Sequence, residues 1–388
     1  MPRLPTIREF PTFRWSLPIA IPCFQHLVHG PSRAVAFRAS MSIVRSSRCG
    51  LACFVFVPWL AGTAGTASAN VSSSPTSTFS PSSTPAQSVF GLSLFVLAIN
   101  VAIFVVVFSL LAYTVVKFRK KAADSEHEPP QVYGSTQIEL AWTVIPLLIV
   151  LVLFLATVRV IAAVQNAAKP REAIEITAIG HQFWWEFRYP GLNVVTANEM
   201  HVPVSDPEHP TPTFLTLLST DTDHSFWVPR LAGKTDLIPN HPNHMWIDPH
   251  EPGLYLGQCA QYCGIQHAKM LLRVYVQTRP DFDRWIEQQR QPVKAADVVS
   301  QGKVVLETSP CLGCHKVAGV AGNGEYGPDL THLMSRDTIA SGAAPNTPEN
   351  LHKWIRDPSS IKPGATMPAL QLTEKQIDAV VAYLETLR

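Results

Sequence analysis

C-A-Q-Y-C-G-I-Q-H-A-K-M, residues Cys259 to Met270, is the stretch from which the rest of the chain can be read. Cys259 and Cys263 stand four residues apart, His267 four further on and Met270 three beyond that. Two thiolates, an imidazole and a thioether make a soft ligand set, better suited to copper than to calcium, magnesium or manganese. A structural zinc site using Cys259, Cys263, His267 and one more ligand is the competing reading. Met270 is a poor zinc ligand, and a second histidine is available at His224 in T-D-H-S-F. Two cysteines, two histidines and one methionine suit a pair of coppers sharing two thiolate bridges.

Working outward, residues 171 to 280 carry short apolar segments rich in β-branched and aromatic residues, broken by Pro, Gly, Asn and Asp. Ala173–Ile179, Thr213–Leu218, His244–Ile247 and Leu271–Val276 read as strands of an antiparallel sandwich or barrel, with metal ligands on loops at one end. His181, His201, His241, His244 and His250 read as surface or hydrogen-bonded core histidines rather than ligands.

Upstream, Val89 to Val116 holds no charged residue, enough at about 1.5 Å per residue to cross a hydrocarbon core of about 30 Å. Lys117, Arg119, Lys120 and Lys121 follow at once, which places the next loop on the cytoplasmic side. A second span runs from about Leu140 to Val164, with Arg159 able to snorkel outward and Pro146 tolerable near its first turns. Glu139 sits at its cytoplasmic mouth, either as an interfacial residue favoured by the helix dipole or as a point of proton uptake. The hairpin exports everything after it.

From Met41 the chain reads as a secretory signal: Arg45 and Arg48, then apolar Leu51 to Leu60, then an A-x-A cleavage site at Ala67 to Ala69. Translation is expected to start at Met41. Asn70 to Ser88, dominated by Ser, Thr and Pro, reads as a flexible extracytoplasmic linker.

Downstream, residues 281 to 294 read as a polar linker with at most one helical turn. Beyond it C-L-G-C-H, Cys311 to His315, is the attachment signal of a c-type haem: Cys311 and Cys314 add to the vinyl groups and His315 binds iron. Asp297–Thr308 and Thr373–Leu387 read as helices; in the second, Ile377, Val380, Val381 and Leu384 mark one buried face. Of the seven cysteines, four lie in these two close pairs beside histidines, a pattern of metal and haem chemistry rather than of a disulfide scaffold. Charged residues make up only 15% of 388 and the net charge is +2, which gives no nucleic-acid surface.

S-T-D-T-D-H-S-F at Ser219–Phe226, G-H-Q-F-W-W-E-F at Gly180–Phe187, E-L-A-W-T-V-I-P at Glu139–Pro146 and the Cys259–Met270 run together resemble subunit II of the haem-copper cytochrome c oxidases, over about residues 90 to 278. The resemblance implies a cupredoxin-like all-β domain holding a binuclear CuA centre. Carried over by position, Cys259 and Cys263 bridge the coppers and His224 and His267 bind one each, with Met270 and the Gln261 carbonyl as weak axial ligands. It puts the family's proton-path glutamate at Glu139. Many members have Glu at Gln261, helping to bind a Mg²⁺ shared with subunit I; an amide brings no charge, which leaves that Mg²⁺ open here. Phe183 stands where many members have the tryptophan that takes electrons from cytochrome c, and the adjacent Trp184 and Trp185 could substitute for it.

K-P-G-A-T-M-P resembles the distal methionine loop of class I cytochromes c and implies Met367, rather than Met334, as the sixth iron ligand. Gly302 and Tyr383 resemble that family's helix-crossing pair, and Pro328 the residue packed by the proximal histidine.

The expected architecture is a multi-domain membrane protein: a two-helix transmembrane hairpin, a cupredoxin-like CuA domain and an all-α class I cytochrome c domain. Its divisions are 1–69 extension and signal, 70–88 linker, 89–164 hairpin, 165–280 CuA domain, 281–294 linker and 295–388 cytochrome domain. The resemblance implies a caa3-type arrangement in a bacterial cell membrane, with both redox domains outside. It also implies subunit I, subunit III and a donor such as cytochrome c or a bc-type complex as partners. A free-standing membrane electron carrier for another reductase and a copper-delivery protein are the alternatives; the Glu139 motif and the presence of a haem signal weigh against them.

Overall fold

The computed structural model describes residues 76–119, 131, 133–206, 208, 210–292 and 300–388, all within one compact unit, Ala69–Arg388. The expected start at Met41 and the signal at 41–69 lie outside the described residues.

Two long helices, α1 (Thr84–Lys117) and α2 (Thr136–Gln165), form the hairpin. Each holds an 18-residue window of mean hydropathy 2.9, none of it buried by protein, as expected of surfaces that lipid would cover. Helix α1 starts before the expected linker ends. The linker's last turn is not free: the Arg230 guanidinium donates to the Ser80 carbonyl at 2.8 Å and to Ser82 Oγ at 2.5 Å. Ser83 Oγ accepts from the Asp248 amide at 2.9 Å. A flexible linker through Ser88 is therefore corrected over its described end, because these side chains satisfy its polar backbone and dock it.

Among the described residues, ten strands make two five-stranded sheets. One is ordered β3 (Val194–Ala197), β2 (Trp184–Tyr189), β1 (Ile174–His181), β5 (Thr213–Ser219), β8 (Asn243–Ile247). The other is ordered β4 (Glu199–Pro203), β10 (Leu271–Gln277), β9 (Gly253–Cys259), β6 (His224–Trp227), β7 (Thr235–Leu237). Alternate residues of β10 are buried, the period-2 mark of a sheet with one face inward. Ile176, Phe187, Leu215, Leu217, Val274 and Val276 meet in the core between the sheets.

Strand β4 is buried along its whole length. Met200 and Val202 face the core, while Glu199 and His201, on the opposite face, are covered by the chain beyond β10. That cover begins with α3 (Arg279–Arg290). Thr278 caps it, accepting from the Asp281 amide, with a proline in the first turn, both strong helix-start signals. Phe282, Trp285 and Ile286 join the core of the β domain. The expected linker at 281–294 is corrected accordingly: its described part is chiefly a packed three-turn helix.

The C-terminal domain has its own core, gathered from α4 (Ser300–Thr308), α5 (Cys311–Cys314), α6 (Pro348–Arg356), α7 (Glu374–Leu384) and the two-residue strands β11 (Thr338–Ile339) and β12 (Ala344–Pro345). Helices α4 and α7 cross at Gly302, where a Cβ would lie 2.0 Å from the Ala379 carbonyl oxygen and 2.7 Å from Tyr383 Cβ. Only glycine permits that approach.

Candidate metal and haem centres

Strand order brings the copper-type ligands together. Strands β9 and β6 are antiparallel neighbours with Phe226 opposite Cys259, so the end of β9 lies beside His224 at the start of β6. The connection from β9 to β10 then carries Gln261, Cys263, His267 and Met270. Cys259 Sγ and Cys263 Sγ are 3.8 Å apart. His224 Nδ1 is 3.9 Å and the Gln261 carbonyl 3.1 Å from Cys259 Sγ. His267 Nδ1 is 3.8 Å and Met270 Sδ 3.9 Å from Cys263 Sγ.

The donors thus divide into two similar halves, each a thiol with its own imidazole and one weak donor. Two soft ions bridged by both sulfurs fit this set better than one tetrahedral zinc ion, which would leave donors over. The ligand atoms of His224, Cys259 and Cys263 all lie within 4.8 Å of one another, and all three residues are buried.

Protonation follows from the neighbours. Asp221 Oδ1 lies 2.8 Å from His224 Nε2. A carboxylate accepts, so Nε2 carries the proton and Nδ1 turns its lone pair toward the sulfurs. Burial pushes the His224 pKa down, but Asp221 and Cys259 more than reverse this and leave it raised. The contact between the two sulfurs pulls the Cys259 pKa down and holds the Cys263 pKa up.

Asp221 was not singled out by sequence reasoning, although a carboxylate three residues before a ligand histidine is a readable sign. Gln182 was also missed. Its amide N–H donates to Asp221 Oδ2 and its side chain to the Cys263 carbonyl, both at 2.6 Å. Gly180 leaves room for the His224 ring, since a Cβ there would lie 2.8 Å from Cδ2.

In the C-terminal domain His315 Nδ1 donates to the Pro328 carbonyl at 2.8 Å, which leaves the Nε2 lone pair available to a metal. Burial lowers the His315 pKa, with Pro328 opposing, so the ring favours the neutral form that can ligate. A Cβ on Gly327 would lie 2.5 Å from His315 Cε1, a constraint the sequence did not announce. Cys311 is half-buried and Cys314 exposed, at the two ends of the short helix α5. These residues fit a covalently attached haem. Met334 packs on the domain's apolar core, whereas half-buried Met367 belongs to the irregular segment before α7.

Phe183 and Trp184 are both buried. Trp184 stacks on His181 with ring centroids 4.2 Å apart, and its Nε1 donates to the Tyr326 carbonyl at 3.3 Å. Glu139 lies in the first turn of α2 and is exposed. Of the remaining histidines, His201 is buried between rings, His241 and His244 are exposed, and His250 lies beside Asp248 at 3.4 Å.

The chain was compared with known proteins. Family models match residues 72–160 as "Cytochrome C oxidase subunit II, transmembrane domain", 207–277 as "Cytochrome C oxidase subunit II, periplasmic domain" and 299–388 as "Cytochrome c". A cytochrome c oxidase subunit 2 of Alkalihalophilus pseudofirmus is 36% identical over 305 residues, 76% of this chain and 85% of the relative. Another, of Bacillus sp. PS3, is 32% identical over 291 residues, 70% and 80% of the two chains. A crystal structure of the periplasmic domain of subunit II of cytochrome oxidase from Bradyrhizobium japonicum is 27% identical, covers 32% of this chain and 97% of that one, and gives a TM-score of 0.29. The matched domains imply copper of the CuA kind and haem c, and with the two apolar helices they describe a membrane-anchored protein with an extracellular domain.

Proposed function

This chain belongs to the cytochrome c oxidase subunit II family, and from that premise we propose that it is the electron-transfer subunit of a caa3-type bacterial oxidase. Cys259, Cys263, His224 and His267 would hold the CuA pair, with Met270 and the Gln261 carbonyl as weaker donors. Cys311, Cys314, His315 and Met367 hold haem c. When bound, the two groups supply reversible one-electron chemistry, in the order donor, haem c, CuA, subunit I, where dioxygen is reduced to water with proton translocation.

The chain's own residues serve that chemistry by position. Asp221 fixes the His224 tautomer, and the Pro328 carbonyl does the same for His315. Burial of Cys259, Cys263 and Met270 excludes water from the donors. Glu139, at the mouth of α2, is the candidate for proton uptake toward subunit I. Phe183 and Trp184, whose carbonyl and indole N–H meet the C-terminal domain, are the candidates to receive electrons. Subunits I and III, a cytochrome c or bc-type donor and the lipid of a bacterial cell membrane complete the setting.

The observation that carries the reading is the division of the copper-type donors into two like halves 3.8 Å apart at sulfur. Visible and near-infrared spectra of the purified chain test it. A c-type haem band together with a mixed-valence CuA band is expected; zinc in place of copper would overturn the reading.

A further inference from the structure

We propose that Lys362 is a positioning residue that clamps the loop leading to Met367 onto the Gln182–Trp184 turn of the β domain, and so holds the haem-type and copper-type sites in fixed register. What the register serves rests on the functional reading above; the clamp itself rests on geometry.

Lys362 is only 4% exposed. Its Nζ donates to the Phe183 carbonyl across the domain boundary at 2.7 Å and to the Ala340 carbonyl of its own domain at 3.4 Å. Among the described residues no carboxylate pairs with it; the titratable groups that act on it are Cys263 and the like-charged Lys269. An ammonium taken out of water without an anionic partner is costly, and burial accordingly pulls this amine down to about 7. A residue that breaks the pairing rule inside an otherwise well-packed boundary is expected where a function requires it.

Its surroundings converge on the same turn. Thr366, next to Met367, donates to the Gln182 carbonyl at 3.3 Å. Trp184 Nε1 reaches the Tyr326 carbonyl, one residue before the Gly327 that packs on His315. Lys269 Nζ, beside Met270, donates to the Ile361 carbonyl at 3.2 Å. Residues 182, 183 and 184 therefore each hold one point on the C-terminal domain, two beside the Met367 loop and one beside the His315 loop.

The other side of the turn meets the copper-type ligands. The Gln182 side chain donates to the Cys263 carbonyl and its amide to Asp221, which holds His224. Thr366 and Cys263 are thus joined through one intervening residue, Gln182, by two hydrogen bonds. Lys362 holds the next carbonyl along and fixes the alignment of that short connection.

The test uses the full chain in detergent with haem and copper bound, comparing it with Lys362→Met and Lys362→Arg. Methionine keeps the apolar stem and removes the donors; arginine keeps donors. In K362M, amide hydrogen exchange over 182–184 and 361–366 is expected to rise about tenfold, the upper end of what one ordinary hydrogen bond contributes. Electron exchange between photoreduced haem and copper is expected to slow by a similar factor, with both optical bands unchanged and K362R recovering most of each effect. Unchanged exchange and rate in K362M would overturn the proposal. So would loss of either band, which would make Lys362 a support of one site rather than of their register. If the unsubstituted chain lacks either band, the functional reading fails, and hydrogen exchange alone still decides the clamp.

Discussion

Asp221 shows how much of a metal site lies outside its ligands. The His224 ring has two nitrogens that could face the thiols, and the carboxylate 2.8 Å from Nε2 selects Nδ1. Without Asp221 both tautomers become available and the ring loses its orienting contact. Asp221→Ala is expected to lower copper affinity about 10- to 100-fold, measured by titrating the full chain against a competing chelator. The other missed residues are of the same kind. All the expected copper donors except His224 come from the one run Cys259 to Met270, so residue type and spacing reveal them. Gln182 and Lys362 act through hydrogen bonds to groups far away in sequence, and no local pattern marks a lysine as buried.

Among the elements, α3 and β4 carry the clearest lesson and a pH-dependent prediction. The pattern in α3 was present: Phe282, Trp285, Ile286 and Gln289 fall at i, i+3, i+4 and i+7, behind a threonine cap and a proline. The density of charged and amide residues on its other face obscured that stripe. Strands β5 and β10 were readable because one face is buried and the other is not; β4, covered on both faces and carrying Glu199, gives no such alternation. His201 on β4 is stacked between Tyr275 and Trp285 of α3, with centroids 4.8 and 4.0 Å away. Its Nδ1 lies 3.1 Å from Gln277 Oε1. Burial pulls its pKa down to about 4 from 6.5, with Gln277 and Asp337 opposing. The folded state therefore binds fewer protons than the unfolded state between those values. Its stabilising effect is complete above pH 6.5 and is lost as pH falls toward 4, a change of roughly 3 kcal/mol at most. Thermal melts from pH 7 to 4 should show the loss, and His201→Phe, which keeps a stacked ring, should flatten that part of the profile.

For the whole molecule, the β domain and the C-terminal domain share a boundary built on buried polar groups, unlike the loose contacts common between domains of one chain. Besides Lys362, this boundary is held by Glu199, whose carboxylate accepts from the Asp337 amide at 2.9 Å, the Thr338 amide at 2.8 Å and Thr338 Oγ1 at 2.6 Å. Tyr275 adds a hydroxyl to Asp337 at 2.5 Å, and Gln289 of α3 reaches Ser335 Oγ at 3.1 Å. Burial raises the Glu199 pKa, against the pull of these donors, so the carboxylate is tolerated at that place because the donors from the other domain solvate it. Glu199→Ala would remove the acceptor and leave the buried Thr338 with an unpaired N–H, at a cost of about 1–3 kcal/mol. The core of each domain contains no part of this contact, so each should keep its own fold. The expected result is faster amide exchange at 337–341 and a separation of the melting of the C-terminal domain from that of the β domain. A single shared transition with unchanged exchange would mean that the covalent connection and α3 alone hold the two domains together.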